Sequence, residues 1–251
     1  MSKLIAFAGK GGTGKSTLAA LTIKYLVSQG KTPVFAVDAD PNYTLGDALG
    51  IAAETNIGLL REEFMDERAT LPAGMSKNAL LERQMQAAVQ ETKDIDLLVM
   101  GRQEGPGCYC ALNDVLRNFL DMATGSYPYV VVDNEAGMEH LSRRTTRRID
   151  SLVVVAEHSV KAARAAGRIN QLVDELKLDV DRRFLLLNKV PGEPAPEVLA
   201  EIENSGLELI QALPYDEELA RADAEGRPIV ELPASNPTYD SLAGVLPRIV
   251  G

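Results

Sequence analysis

The 251-residue sequence has no tryptophan, two histidines and two cysteines, and aromatic residues make up only 5% of it. The two cysteines, Cys108 and Cys110, lie one residue apart. They cannot form the framework of a disulfide-stapled secreted fold, and a reducing compartment disfavours a bond between them. No apolar run approaches the roughly 20 residues of a membrane-spanning helix. The first apolar stretch, 4–8, is too short for a signal peptide and runs straight into glycines, so the expected location is cytoplasmic. Positive charge is also scarce: 26 Lys and Arg stand against 36 Asp and Glu, a formal net charge of −10. That balance argues against non-specific binding to nucleic acid or to an anionic membrane. It leaves room for a small basic site that takes an anion. What is plentiful is apolar: 45% hydrophobic residues beside 25% charged is globular composition. A chain this long buries enough core to need no disulfide or structural metal.

Short β-rich apolar runs occupy 4–8, 33–37, 96–100, 129–132, 151–156, 184–187 and 207–213. Most are apolar throughout rather than alternating, as strands covered on both faces of a parallel sheet are. Helical patterns lie between them at 17–29, 112–123, 161–176 and 217–225, and Gly30 marks a stop. The alternation predicts a single-domain, doubly wound α/β fold with a mainly parallel sheet, spanning 1–251. The charged, Glu-, Met- and Gln-rich stretch 56–94 holds no convincing strand and reads as a helical insertion, and 101–107 reads as a loop.

The run Gly9-Lys10-Gly11-Gly12-Thr13-Gly14-Lys15-Ser16 matches GxxxxGK[ST], follows a predicted strand and opens a predicted helix at Thr17. Glycines let the backbone turn sharply and bring N–H groups close to phosphate oxygens. The helix adds its positive N-terminal end. Lys15 is then expected on the β- and γ-phosphates, and the Ser16 hydroxyl on Mg²⁺. A second lysine, Lys10, is not required by that loop. With it, Lys10-Gly11-Gly12-Thr13-Gly14-Lys15-Ser16 resembles the KGGxGK[ST] loop of the deviant Walker-A ATPases. These P-loop NTPases include the nitrogenase iron protein and the septum-placement, plasmid-partition and metal-cluster maturation ATPases. The resemblance implies a homodimer in which Lys10 reaches the nucleotide of the other subunit.

Two acid-ended strands follow. Asp38 and Asp40, in Val37-Asp38-Ala39-Asp40-Pro41, sit at a strand's C-terminal end, where ligands bind in open α/β sheets. Asp38 is placed to hold Mg²⁺ through water, and Asp40 to orient or deprotonate the attacking water. A turn aspartate before proline would explain Asp40 alone. In the family this DxDP segment is switch I, and its second aspartate serves hydrolysis. Tyr129-Val130-Val131-Val132-Asp133 ends in a further carboxylate expected near Mg²⁺. Gly137 is placed to sense the γ-phosphate. Arg143, Arg144, Arg147 and Arg148 are clustered in an acidic chain; phosphate, a partner protein, nearby acids or plain solvent would each account for them. His140 has no local His or Cys to form a metal site.

For the base, Asn188 offers both a donor and an acceptor to a purine edge, or it satisfies the loop backbone. Lys189 follows it, and Pro191 stands where guanine-selective NKxD segments carry aspartate. The segment from Leu213 and Pro214 resembles the family's base-binding loop. Together these favour ATP, with ADP as product, over GTP.

Cys108 and Cys110 supply two soft thiolates suited to Ni²⁺ or Zn²⁺. A Cys₄ site needs four, which two copies of the chain would provide. A CxC alone is also compatible with an incidental pair. Gly107-Cys108-Tyr109-Cys110-Ala111-Leu112-Asn113 and Asp133-Asn134-Glu135-Ala136-Gly137-Met138-Glu139-His140 resemble the nickel-insertion accessory ATPases of carbon monoxide dehydrogenase. That resemblance implies a metallochaperone that binds nickel between subunits and serves a client nickel enzyme. Accessory ATPases of acetyl-CoA synthase share these motifs. An iron–sulfur donor like the nitrogenase iron protein is a second reading, although Ala136 stands where its second cysteine would be. A membrane- or DNA-associated partitioning ATPase is a third. Its basic amphipathic tail is not matched by 241–251, which has one basic residue and a proline.

Overall fold

The computed structural model describes residues 2–40, 42–53, 55–59, 86–101, 125–134 and 148–251. The predicted helix 112–123, most of the 56–94 insertion, and Cys108, Cys110, Gly137, His140, Arg143, Arg144 and Arg147 lie outside the described residues. One eight-stranded sheet organises the rest. Its strands are β1 (Lys3–Gly9), β2 (Val34–Asp38), β3 (Gln90–Glu91), β4 (Ile95–Val99), β5 (Tyr129–Asp133), β6 (Ile149–Glu157), β7 (Val180–Val190) and β8 (Glu208–Pro214). They lie in the order β3-β4-β2-β5-β1-β6-β7-β8. Every pair is parallel except β3 with β4. The seven apolar runs all become strands because both faces of the sheet are covered, so no polar alternation is needed. β3 corrects the expectation of no strand in 56–94. It is a two-residue antiparallel edge pairing Gln90 with Leu97 and Glu91 with Asp96, too short to leave an apolar pattern.

Among the described residues, the helices of five residues or more are α1 (Lys15–Ser28), α2 (Thr44–Leu49), α3 (Val160–Glu175), α4 (Pro196–Asn204), α5 (Glu217–Ala224), α6 (Pro237–Ala243) and α7 (Leu246–Val250). α3 and α4 cover one face, with Ala163, Ala166, Ile169, Val173, Val198 and Ile202 in its core. α1, α2 and α5 to α7 cover the other. α1 is preceded by its N-cap, Gly14, in a left-handed conformation and is buried along Leu18 to Ile23, as a helix enclosed by the sheet and its neighbours is. α3 has a cleaner apolar stripe, and Ser159 caps it by accepting the Ala162 N–H at 3.1 Å. α7 places Leu246, Ile249 and Val250 in the core. Among the described residues no helix is long and apolar enough to cross a membrane.

Candidate nucleotide and metal site

The order of the strands brings the C-terminal ends of β1, β2, β5, β6 and β7 to one edge of the sheet. This is where Gly9, Asp38, Asp133, Glu157 and Asn188 stand. Gly9 ends β1 with φ +151°, and a Cβ there would sit 2.3 Å from the Val155 carbonyl oxygen on β6. The loop from Gly9 to Gly14 then turns over itself. Both the backbone N–H and the hydroxyl of Thr13 donate to the Lys10 carbonyl, at 3.3 and 2.9 Å. Beta carbons at Gly11 and Gly12 would meet nothing within 4 Å, so the outer side of the loop is open. Lys10 is exposed on it, and Lys15 is buried at 5% exposure.

Asn188 and Lys189 hold this loop from β7. The Asn188 amide donates to the Thr13 carbonyl at 2.9 Å. A Cβ on Gly14 would collide with that amide at 2.5 Å. The Lys189 ammonium donates to the Gly12 carbonyl at 2.6 Å and pairs with Glu157 at 3.2 Å. Of the two readings of Asn188, the backbone-satisfying one therefore has a partner in the structure. One amide hydrogen remains for a base, and Asn188 still lines the cavity. That cavity, about 640 Å³, runs from Lys15, Ser16 and Thr17 past Asp40 and Thr44 to Asn188, Pro214 and Tyr215. At its far end Asp216 fixes the turn after β8, accepting the Leu219 and Thr238 N–H groups at 2.9 and 3.3 Å.

The carboxylates differ sharply. Asp38 is fully buried. Its Oδ1 accepts the Asp40 N–H at 3.1 Å, and its Oδ2 accepts those of Leu45 at 2.9 Å and Gly46 at 3.4 Å. It thus ties the end of β2 to the first turn of α2. Burial raises its pKa to about 6, against the lowering effect of those three N–H groups. Asp133 is equally buried, but neither oxygen has a hydrogen-bond partner. Burial pushes its pKa up to about 7. The nearby Ser16 hydroxyl and Lys15 ammonium pull the other way, and Asp38 and Asp40 add to the rise. The Ser16 hydroxyl also shares a hydrogen bond with the Thr44 hydroxyl at 2.7 Å, in which either oxygen can donate. Asp40, half-buried, accepts the backbone and side-chain N–H groups of Asn42 at 2.9 Å each. A buried carboxylate with no donor beside a second one, a lysine and a hydroxyl fits a divalent cation: oxygen ligands satisfy Mg²⁺, and its charge removes the penalty on the two anions.

Three participants escaped the sequence reading. Thr44 was hidden because its partner is 28 residues away, although Thr44-x-x-Asp47 before an apolar run is a helix-start signal. Asn134, fully buried, donates both its backbone and side-chain N–H to the Phe7 carbonyl, at 3.1 and 2.8 Å, fastening β5 to the strand that carries the loop. Glu157 has no local signature. Arg148, the one described member of the arginine cluster, pairs with Asp181 at 2.6 Å. Among the described residues no group of three or more His, Cys, Asp or Glu gathers as a metal site.

Residues 4–229 match the model of the CobQ/CobB/MinD/ParA nucleotide binding domain. An uncharacterised ATP-binding protein of Methanocaldococcus jannaschii is 40% identical over 249 residues, 98% of each chain. The carbon monoxide dehydrogenase accessory protein CooC of Rhodospirillum rubrum is 29% identical over 259 residues, 98% of this chain and 97% of its own. The fold is that of the solved MinC:MinD cell division complex of Aquifex aeolicus, with TM-score 0.72 and 21% identity over 100% of this chain and 96% of that one. It is also that of MinD with Mg-ADP from Pyrococcus horikoshii, with TM-score 0.70 and 18% identity over 99% and 96%. With a glycine-rich loop at the end of β1 and acid-ended strands beside it, the chain belongs to the CobQ/CobB/MinD/ParA family as a P-loop ATPase.

Proposed function

We propose that this ATPase is a nickel metallochaperone for carbon monoxide dehydrogenase, opening and closing as a homodimer around a metal held by Cys108 and Cys110 of both copies. The observation that carries the reading is the likeness to the carbon monoxide dehydrogenase accessory protein over nearly the full length of both chains. The paired cysteines support it. The burial of Leu246, Ile249 and Val250 favours it over a membrane-cycling ATPase, because those residues are occupied in the core.

The chemistry follows from the site. Backbone N–H groups from Gly11 to Ser16 and the start of α1 cradle the phosphates, and Lys15 neutralises charge on the β- and γ-oxygens. Lys10, exposed on the same loop, reaches the nucleotide of the second copy. Ser16, with Asp133 and Asp38 behind it, holds Mg²⁺, and Thr17 closes the phosphate side. When bound, the ion stabilises charge that develops on the transferred phosphoryl group. Asp40 accepts the proton of the attacking water. Gly137 contacts the γ-phosphate, and Asn188, Lys189 and Pro214 border the base. ATP favours the closed dimer through its differential affinity for that state, and hydrolysis removes the preference. The test is titration with Ni²⁺ and Zn²⁺ combined with mass determination, with and without a non-hydrolysable ATP analogue. One ion per two chains, in a dimer, is expected. A single subunit saturated with both ligands overturns the reading.

A further inference from the structure

Ser16 and Thr44 hydroxyls lie 2.7 Å apart, and only one hydrogen can lie between them. Thr44 is the first residue of α2, whose N-cap residue, Tyr43, makes no side-chain capping bond. The N–H groups of the next two residues are held instead by Asp38 Oδ2. The Thr44 hydroxyl is therefore free of the helix and available to Ser16, and both residues line the same cavity. Two arrangements of the shared hydrogen exist. If Thr44 donates, one lone pair of Ser16 is occupied. If Ser16 donates, its lone pairs are free, and a hydroxyl bonded to a cation becomes a better donor.

We propose that Thr44 is a positioning residue for the Ser16 hydroxyl: its Oγ1 accepts the Ser16 proton and so turns the Ser16 lone pairs toward the divalent cation. The inference rests on the reading of Ser16 as a magnesium-binding residue. It extends that reading to a hydroxyl on α2 that would act on the ion only through Ser16. Because Asp38 fixes the same helical turn, a cation held by Ser16 and Asp38 would be linked to the start of α2 through each of these side chains. Groups that orient a metal ligand are worth roughly 10–100-fold in metal affinity.

The experiment measures binding of a non-hydrolysable ATP analogue by calorimetry, with EDTA and across a magnesium chloride titration, so no turnover is read. Thr44→Val, which keeps the shape and removes the hydroxyl, is expected to need about 10–100-fold more Mg²⁺ while its affinity in EDTA stays unchanged. Thr44→Ser is expected to match the parent. Thr44→Ala provides a second test of hydroxyl loss if the valine variant fails to fold. A Mg²⁺ titration of Thr44→Val that overlays the parent overturns the proposal. So does an equal loss of affinity in EDTA, which marks a purely structural role, and so does Thr44→Ser behaving as Thr44→Val. If the parent protein itself shows no Mg²⁺ dependence, it is the reading of Ser16, and with it the magnesium site, that fails.

Discussion

Asp38 and Asp133 stand directly opposite one another in the parallel β2–β5 pair, both fully buried, one with three backbone donors and the other with none. Strands pair about 4.8 Å apart and opposed residues share a face, so the two carboxylates lie together at the proposed Mg²⁺ site. Without a cation this arrangement opposes ionisation of both. An aspartate in the unfolded chain titrates near 3.9, whereas burial holds folded Asp133 near 7. Between those values the folded chain binds the extra proton, so this group's contribution to stability is greatest below about pH 4 and is lost as pH rises through about 7. Asp133→Asn is therefore expected to be more stable than the parent at about pH 8 in EDTA, by on the order of 2–4 kcal/mol, with the gap closing toward pH 4. Urea unfolding of both proteins across that range reads the difference. Equal stabilities at every pH would falsify the uncompensated-carboxylate account.

Lys15 and Asp40 separate binding from chemistry. Lys15→Ala removes the ammonium proposed to face the phosphates and is expected to abolish ATP hydrolysis and weaken nucleotide binding at least tenfold. Asp40→Asn keeps the oxygen that accepts from Asn42 but cannot take a proton. It is expected to bind ATP like the parent and to hydrolyse it roughly 10²–10⁴-fold more slowly. Steady-state turnover beside equilibrium nucleotide binding makes the distinction. Parent-like turnover in Asp40→Asn removes the general base from the mechanism.

Gly9 is a stability prediction at the root of the loop. An added Cβ would lie 2.3 Å from a backbone oxygen of β6, and backbone in a parallel ladder cannot yield as a flexible side chain can. Gly9→Ala is expected to cost about 3 kcal/mol and to lower Tm by roughly 6–12 °C. Gly12→Ala, where a Cβ meets nothing within 4 Å although φ is +82°, is expected to cost less. Differential scanning calorimetry of the two variants ranks them, and the reverse order contradicts the geometry.

The sheet was legible because its strands are enclosed on both faces. Runs such as 4–8 and 151–156 are apolar from end to end, a pattern that needs no partner to be seen. α2, α4, α6 and α7 were not read because each is short and its start is marked by one or two residues, as Pro196 and Asn236 show. Within the site, the phosphate loop and the acid-ended strands are contiguous motifs. The Ser16–Thr44 bond and the Asn134–Phe7 bond span 28 and 127 residues, and only tertiary structure brings such partners together. A backbone-satisfying Asn188 was one of two sequence readings, but its partner, the Thr13 carbonyl, and the direction of Lys189 onto the Gly12 carbonyl were invisible for the same reason.

The cysteines carry the prediction most specific to the proposed metallochaperone. Each chain supplies two thiolates, and a tetrahedral soft-metal site takes four ligands, so the ion must bring two chains together or complete its shell with water. The first case couples metal to association: a structural thiolate site binds tightly because all four ligands are deprotonated and held in place. Cys108→Ala with Cys110→Ala is therefore expected to lose tight Ni²⁺ and Zn²⁺ binding and to weaken the nucleotide-free dimer, while leaving the affinity for ATP near that of the parent. ATP binding serves as the control for folding. Native mass spectrometry of parent and variant, each with one metal at a time, reads stoichiometry and oligomeric state together. Metal retained at half an ion per chain in the double variant places the site elsewhere and removes the cysteines from the mechanism.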